Sequence, residues 1–348
     1  MSLNKEQVKE IARLAKLSID DSEIEQSTIE LNNILSLMAE LGEIETDHVE
    51  PMAHPLEMSQ RLREDVVSEA DLSEEFQAIA PKTGKKLTDK YIELDSREGI
   101  ATIILDRPDK LNAWNTLMRE QLREAVSNIV DDDDVRVLII TGSGRAFSAG
   151  EDVQGMGDLS NVGPKGFRRR VRMIHNVFDD LEQIEIPVIA AINGVAAGGG
   201  LELALSCDFR IASANAKFGL PEGNVGLIPG SGGISRLVKL VGPAISKKLV
   251  MTGEIIDASR ALEVGLIEEV VEPDKLIDHC REFAQTLAAR APLALGTAKL
   301  VINQCLNTDL ETGRNLERLG QSTLKLSDDH EEGVKSFLEK RVPKFTGK

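Results

Sequence analysis

Two glutamates in this sequence stand where a carboxylate is either costly or well placed for proton transfer. Glu202 lies inside Leu201-Glu202-Leu203-Ala204-Leu205, immediately after Gly198-Gly199-Gly200. A charge among apolar neighbours costs free energy unless it is paired or protonated. Glu202 therefore reads either as a tuned acid or base or as half of a buried ion pair. Glu222 follows Pro221 in the segment Phe218–Leu227. Alone it is a solvated loop residue, but two carboxylates at one place can divide proton donation and acceptance between them. The triple glycine also has two readings. It is a tight strand-to-helix turn, or a helix start whose free N–H groups face an anion or a developing oxyanion. A third glycine-rich segment runs Thr141-Gly142-Ser143-Gly144-Arg145-Ala146-Phe147-Ser148-Ala149-Gly150-Glu151-Asp152. None of these is a phosphate loop, since no Gly-Lys-Ser/Thr follows, and Gly142-Ser143-Gly144 lacks the third glycine of a dinucleotide fingerprint. The five histidines and three cysteines show no ligand spacing, so no metal is expected.

The elements that must position these residues alternate regularly from Tyr91 onward. Tyr91–Asp95 and Ile100–Leu105 flank Ser96-Arg97-Glu98-Gly99 and read as a hairpin. Asn115–Asp131 and Phe167–Ile184 read as helices, Val135–Thr141 and Val188–Ile192 as buried strands, and Gly199–Cys207 as a short helix. Phe209–Ala212 and Ile267–Val271 add strands, and helices close the chain. The alternation predicts an α/β fold with a mainly parallel sheet covered by helices. No internal sequence repeat is evident. The stretch from Gln154 to Gly166 is glycine-rich and reads as a mobile loop. Arg168-Arg169-Arg170 and Arg172 open the next helix as a solvated face, with phosphate contact as the alternative.

The first segment differs in composition. Residues 1–86 hold nine Lys/Arg against nineteen Asp/Glu and one aromatic, Phe76, out of eleven in the 348-residue chain. A domain boundary therefore falls near Lys85. Asn4-Lys5-Glu6-Gln7 is a helix start with Asn4 capping and Gln7 three residues on, and Val8, Ile11, Ala12 and Ala15 share one face. A second helix begins around Asp20-Asp21 and stops at Gly42. Glu50-Pro51 and His54-Pro55 then predict an extended strap from Val49 to about Val67, with His48 and His54 as surface residues. The net charge of −17 argues against direct nucleic-acid binding. The odd, widely spaced cysteines Cys207, Cys280 and Cys305 predict reduced thiols. The most apolar stretch, Pro187–Ser206, carries Asn193, Glu202 and four glycines, so no membrane span is expected. With no secretory signal legible at the start, a cytoplasmic location is the expectation.

Residues 1–81 resemble the C subunit of the tRNA-dependent Asp/Glu amidotransferase. The motifs are Val8–Ala15, Leu31-Asn32-Asn33-Ile34-Leu35, Val49-Glu50-Pro51-Met52-Ala53-His54-Pro55, Gln60–Asp65 and Ile79-Ala80-Pro81. The resemblance implies a non-catalytic clamp for the amidase and kinase subunits, supporting conversion of misacylated Asp-tRNA(Asn) or Glu-tRNA(Gln). Where that family ends on a short apolar strand, this chain runs into the polar linker 82–90. A non-catalytic amidotransferase subunit carrying a passenger domain is therefore one reading of the whole chain.

Residues 91–348 resemble the enoyl-CoA hydratase/isomerase (crotonase) superfamily. The likeness rests on Leu105-Asp106-Arg107-Pro108-Asp109-Lys110-Leu111-Asn112-Ala113, Ser148-Ala149-Gly150-Glu151-Asp152, Asn193–Asp208, Phe218–Gly233 and Glu339–Phe345. It implies a ββα superhelix with C-terminal helices, preceded here by the small helical module with its strap. It further implies that the backbone N–H groups of Glu151 and Gly199 form an oxyanion hole for an acyl-CoA thioester. By the same resemblance, Glu202 activates water and Glu222 protonates the α-carbon during hydration of a trans-2-enoyl-CoA. Isomerisation or thioester hydrolysis is the alternative within the superfamily. No cofactor is implied beyond the coenzyme A thioester as substrate, and the C-terminal helices imply a homotrimer or hexamer. Position 151 departs from the pattern: it is acidic where these hydratases carry a small residue, which sets a carboxylate beside the thioester.

Overall fold

The computed structural model describes residues 3–14, 24–42, 89–152 and 163–348. The chain divides into two units, Met1–Thr83 and Gly84–Lys348. In the first, α1 (Lys5–Leu14) begins with the expected reciprocal cap. Gln7 N donates to Asn4 Oδ1 at 2.9 Å, and Asn4 N donates to Gln7 Oε1 at 3.0 Å. The second helix, α2 (Ile24–Gly42), packs on α1 through the buried side chains of Val8 and Ile24. Asn32 and the backbone of Leu3 exchange two hydrogen bonds at 2.6 and 2.9 Å, tying the pair together. Ile29 and Ile34 stay exposed on α2. The strap Val49–Val67, His48, His54, the Asp20-Asp21 helix start and linker residues 82–88 lie outside the described residues.

In the second unit, β1 (Ile92–Arg97) and β2 (Ile100–Leu105) form an antiparallel hairpin. Glu98 and Gly99 make its two-residue turn with φ of 55° and 76°, the left-handed pair that matches strand twist. The chain then repeats one pattern three times: a strand in a large sheet, a short strand in a second sheet, and a helix. The first pass is β3 (Val137–Gly142), β4 (Ala146–Ser148) and α4 (Pro164–Gln183). Ahead of it, α3 (Thr116–Val130) is capped by Asn115, whose side chain accepts from Met118 N at 2.8 Å. The second pass is β5 (Val188–Ile192), β6 (Val195–Ala197) and α5 (Gly199–Leu205). The third is β7 (Phe209–Ser213), β8 (Lys217–Gly219) and α6 (Gly233–Thr252), which kinks at Gly242-Pro243. The two remaining strands are β9 (Ile256–Asp257) and β10 (Glu269–Val271).

The large sheet runs β1-β2-β3-β5-β7-β10 and is parallel apart from the first pair; the small sheet runs β4-β6-β8-β9. This is the ββα superhelix, a repeat of structure with no repeat of sequence. Five helices follow α6: α7 (Ala258–Glu263), α8 (Leu276–Ala288), α9 (Pro292–Cys305), α10 (Leu310–Leu324) and α11 (Asp328–Glu339).

The central strands are apolar throughout because both faces are covered. Leu138 and Ile140 pack into the main core with Phe147, Phe178 and Leu201. Val137 and Ile139 face Leu276, Cys280 and Ala284 of α8 on the other side.

The connection from β2 into α3 positions the glycine-rich segment after β3. Asn112 adopts a left-handed conformation, φ 54°, which asparagine tolerates better than most residues. Its side chain is fully buried. Oδ1 accepts from Arg107 N at 2.8 Å, while Nδ2 donates to Ser143 O at 3.0 Å and Ala146 O at 2.8 Å. Ser148 Oγ in turn accepts from Trp114 Nε1 at 2.5 Å and donates to Asn112 O at 2.8 Å. Replacing Asn112 by alanine leaves Arg107 N and Ser143 O, both part-buried, without this partner, while Ala146 O keeps only the bond from Asn193 Nδ2 at 3.2 Å. The variant is expected to lose about 3 kcal/mol of unfolding free energy in urea titration, with an unchanged denaturant slope.

Candidate active site

Two loops meet backbone to backbone. Gly150, at φ 84°, lies so close to the next glycine turn that a β-carbon on it would sit 2.7 Å from Gly199 N and 2.9 Å from Ala197 O. A β-carbon on Gly200 would sit 2.1 Å from Ser148 O. Only glycine permits these contacts. The first loop is also paired to the segment before α3: Trp114 N donates to Gly150 O at 2.8 Å and Asp152 N donates to Trp114 O at 3.0 Å. Those two bonds flank Glu151, so its own N–H projects from the opposite edge, and Glu151 N lies 3.8 Å from a β-carbon built on Gly199.

Gly199 opens α5, where the first N–H groups have no intrahelical acceptor. Neither Glu151 N nor Gly199 N donates to a partner among the described residues. A methyl carbon built on Gly199 would lie 3.6 Å from Gly150 Cα, 3.8 Å from Glu151 N and 3.9 Å from Glu202 Oε2, with nothing nearer. One carbon-sized space thus adjoins both sites and a carboxylate.

Glu202 sits on α5, 3% exposed, and is held by the start of α6. Its Oε1 accepts from Ser231 N at 2.7 Å and Gly233 N at 3.0 Å. Burial raises its pKa above the usual carboxylate value; the two backbone donors and the charges of His175 and Arg236 oppose that rise. A partner therefore exists, but it is main chain rather than a side-chain cation. Gly233 must be glycine, since a β-carbon there would stand 2.7 Å from Glu202 Oε1.

Glu222, expected on a loop, is carried on a single 3-10 turn, Pro221–Val225. The proline sets the turn's first φ. Its Oε1 would be 3.3 Å from a β-carbon on Gly198, the residue next to Gly199. Its Oε2 is buried with no hydrogen-bond partner among the described residues. Burial, with a further push from the Glu202 charge, raises its pKa to about 7; a backbone hydrogen bond opposes the rise. The two carboxylates thus converge on the Gly198-Gly199 turn with unequal environments. Glu202 has donors that favour the ionised form, and Glu222 has an orphan oxygen that favours the protonated one.

The acidic side chain at position 151 is not left facing this turn. Both its oxygens accept from Arg119 Nη1 of α3, Oε2 at 2.5 Å. Asp152 pairs likewise with Arg107 Nη1 at 2.8 Å. The sequence reading missed Arg119, Trp114, Ser231 and Gly233. Of these, Ser231 and Gly233 carried a signal, as part of the matching Phe218–Gly233 segment. Arg168, Arg169 and Arg172 are exposed, consistent with a solvated face. Most of the Gln154–Gly166 loop lies outside the described residues. Among the described residues no cluster of His, Cys, Asp or Glu could hold a metal ion, and no helix is long and apolar enough to cross a membrane.

The ββα superhelix sets two backbone N–H groups beside two unlike carboxylates, an arrangement that can bind a carbonyl oxygen and move protons next to it. The chain belongs to the enoyl-CoA hydratase/isomerase family, whose model matches residues 95–348. Residues 19–87 match the model of the Glu-tRNAGln amidotransferase C subunit. The chain is 39% identical over 258 residues to a crotonyl-CoA hydratase of Syntrophomonas wolfei, covering 74% of this chain and 98% of that protein. It is 37% identical over 249 residues to a short-chain-enoyl-CoA hydratase of Clostridium acetobutylicum, covering 71% and 94%. An enoyl-CoA hydratase structure from Bacillus anthracis superposes with a TM-score of 0.71 at 37% identity, covering 74% of this chain and all of that one.

The raised Glu222 pKa predicts a stability signature. Its folded value, about 7, exceeds the ~4.3 of an unfolded glutamate, so the native state binds the proton more tightly. Stability therefore falls as pH rises from about 4.5 through 7 and then levels. Glu222→Gln lacks this titration. Its melting temperature is expected to gain on the wild type between pH 5 and 7.5 and to hold that gain at pH 8, as checked by scanning calorimetry.

Proposed function

We propose that residues 91–348 catalyse addition of water across the double bond of a trans-2-enoyl-CoA, with dehydration as the reverse of the same reaction. The observation that carries this reading is the pair of carboxylates on the Gly198-Gly199 turn: Glu202 accepts from two main-chain donors that oppose the rise burial gives its pKa, and Glu222 has an unpartnered oxygen and a pKa raised to about 7. The thioester carbonyl accepts from Glu151 N and Gly199 N. This polarises the double bond so that its β-carbon becomes electrophilic. Glu202 takes a proton from water as the oxygen attacks the β-carbon, and negative charge moves onto the thioester oxygen. Glu222 then supplies the proton that the α-carbon takes up. Each N–H bond to the developing oxyanion is worth about 3–4 kcal/mol of barrier.

Retention of both glutamates favours hydration over isomerisation, because moving a proton between two carbons of the acyl chain can be done by one carboxylate. The names of the relatives point to short enoyl chains. With crotonyl-CoA, absorbance of the conjugated thioester is expected to fall on addition of enzyme. Glu202→Gln and Glu222→Gln should each slow turnover by at least about 100-fold, the usual scale for losing a general acid or base. No turnover by wild type on short or long enoyl chains would exclude hydration. A shifted double bond as product would replace it with isomerisation.

Residues 1–81 form, in this reading, a clamp joined through linker 82–90 and directed at the amidase and kinase subunits of a tRNA amidotransferase. The support is the family-model match over residues 19–87 and the exposed Ile29 and Ile34 on α2. Failure of the full chain to restore activity to an amidotransferase lacking its C subunit would remove this role. The exposed Ile302, Leu310, Leu319 and Phe337 of the C-terminal helices suit contacts between copies. Light scattering is expected to give three or six times the 38.0 kDa chain mass.

A further inference from the structure

The acid at position 151 raises a physical difficulty that the structure answers with one arginine. A carboxylate attached to the residue that donates an oxyanion hydrogen bond stands within a side-chain length of the charge that develops there. Left unpaired, it would repel that charge in a site of low effective dielectric. Glu151 is held at two levels by one short stretch of chain. Trp114 takes the peptide groups on either side, which turns the Glu151 N–H to the edge away from Trp114, with Glu151 N 3.8 Å from a β-carbon built on Gly199. Five residues later, on the first turn and a half of α3, Arg119 takes the carboxylate with Nη1, while its Nη2 donates to Thr116 Oγ1 at 3.2 Å. The Arg119 and Glu151 side chains are 16% and 27% exposed, so solvent screens the pair only in part.

We propose that Arg119 is a positioning residue of the oxyanion hole: by pairing with the Glu151 carboxylate it cancels a charge that would oppose the enolate-like oxygen and holds the Glu151 N–H in place beside Gly199. The proposal rests on the hydratase reading and deepens it. Arg119 touches no reacting atom. Its effect is electrostatic and is felt mainly once charge has moved onto the thioester oxygen, so it belongs in kcat more than in KM. The neighbouring Asp152 is compensated by Arg107, so Glu151 is the acid whose charge Arg119 controls.

The test is a rescue experiment on the full chain with crotonyl-CoA as probe. Arg119→Ala is expected to lower kcat roughly tenfold and to change KM less than about threefold. Arg119→Lys, which keeps the charge but not the fork, is expected to fall between Arg119→Ala and wild type. The double variant Arg119→Ala/Glu151→Ala removes the carboxylate along with its partner and is expected to recover most of the lost kcat. A purely structural ion pair gives the opposite pattern, because the double variant is then no faster than Arg119→Ala. Circular dichroism and melting temperature establish that each variant is folded. A kcat for Arg119→Ala equal to wild type overturns the proposal, as does a folded double variant as slow as the single one. A wild type without turnover overturns the hydratase reading itself, and the positioning role with it.

Discussion

The second unit depends on two loops approaching until their main chains touch. Gly150 against Gly199, and Gly200 against Ser148, are contacts that a single β-carbon would break. Everything chemical in the site follows from that approach. It brings the free N–H of Glu151 beside the free N–H of Gly199, and it sets Glu202 three residues along the same helix. The surrounding interactions hold the approach in place. Asn112 bonds Ser143 and Ala146 before the first loop turns inward. Trp114 pairs with the loop's backbone and bonds Ser148, while its ring meets Phe178 edge-on at 5.3 Å. The segment between β2 and α3 carries neither of the two carboxylates, yet it orients the loop that carries Glu151 N.

The carboxylates illustrate how one residue type is given two characters. Glu202 is the more buried, but the start of α6 supplies two main-chain donors to one of its oxygens. Glu222 is less buried, yet Oε2 has no partner and the neighbouring negative charge presses on it. The difference lies in hydrogen-bond supply rather than depth. It favours the proton on Glu222 and the negative charge on Glu202, the division that the proposed addition of water calls for.

Much of this was legible in the residues. Val188–Ile192 reads as a strand because β-branched and small apolar residues run without interruption, and it is buried on both faces. Asn4 announces a helix start by its capping side chain. Glu202 stood out because its neighbours are apolar, and Gly199 because glycines precede a helix. The small sheet was not legible. Ala146–Ser148, Val195–Ala197 and Lys217–Gly219 are three residues each, too short for an alternation to register, and they exist because the large sheet's loops fold back on one another. The threefold ββα repeat was hidden for the same reason, since its passes share geometry without sharing side chains. Nor could local pattern reveal that Glu202 rests on Ser231 and Gly233, about thirty residues on, or that Arg119 holds the acid at position 151. Those are long-range pairings, set by topology rather than by neighbours in the chain.

A crystal structure with a saturated short-chain acyl-CoA bound measures the central arrangement directly. The thioester oxygen is expected within about 3.1 Å of both Glu151 N and Gly199 N, with the acyl α- and β-carbons lying between Glu202 and Glu222. A thioester oxygen bound to side chains or solvent elsewhere, with those two N–H groups still unpaired, would contradict it.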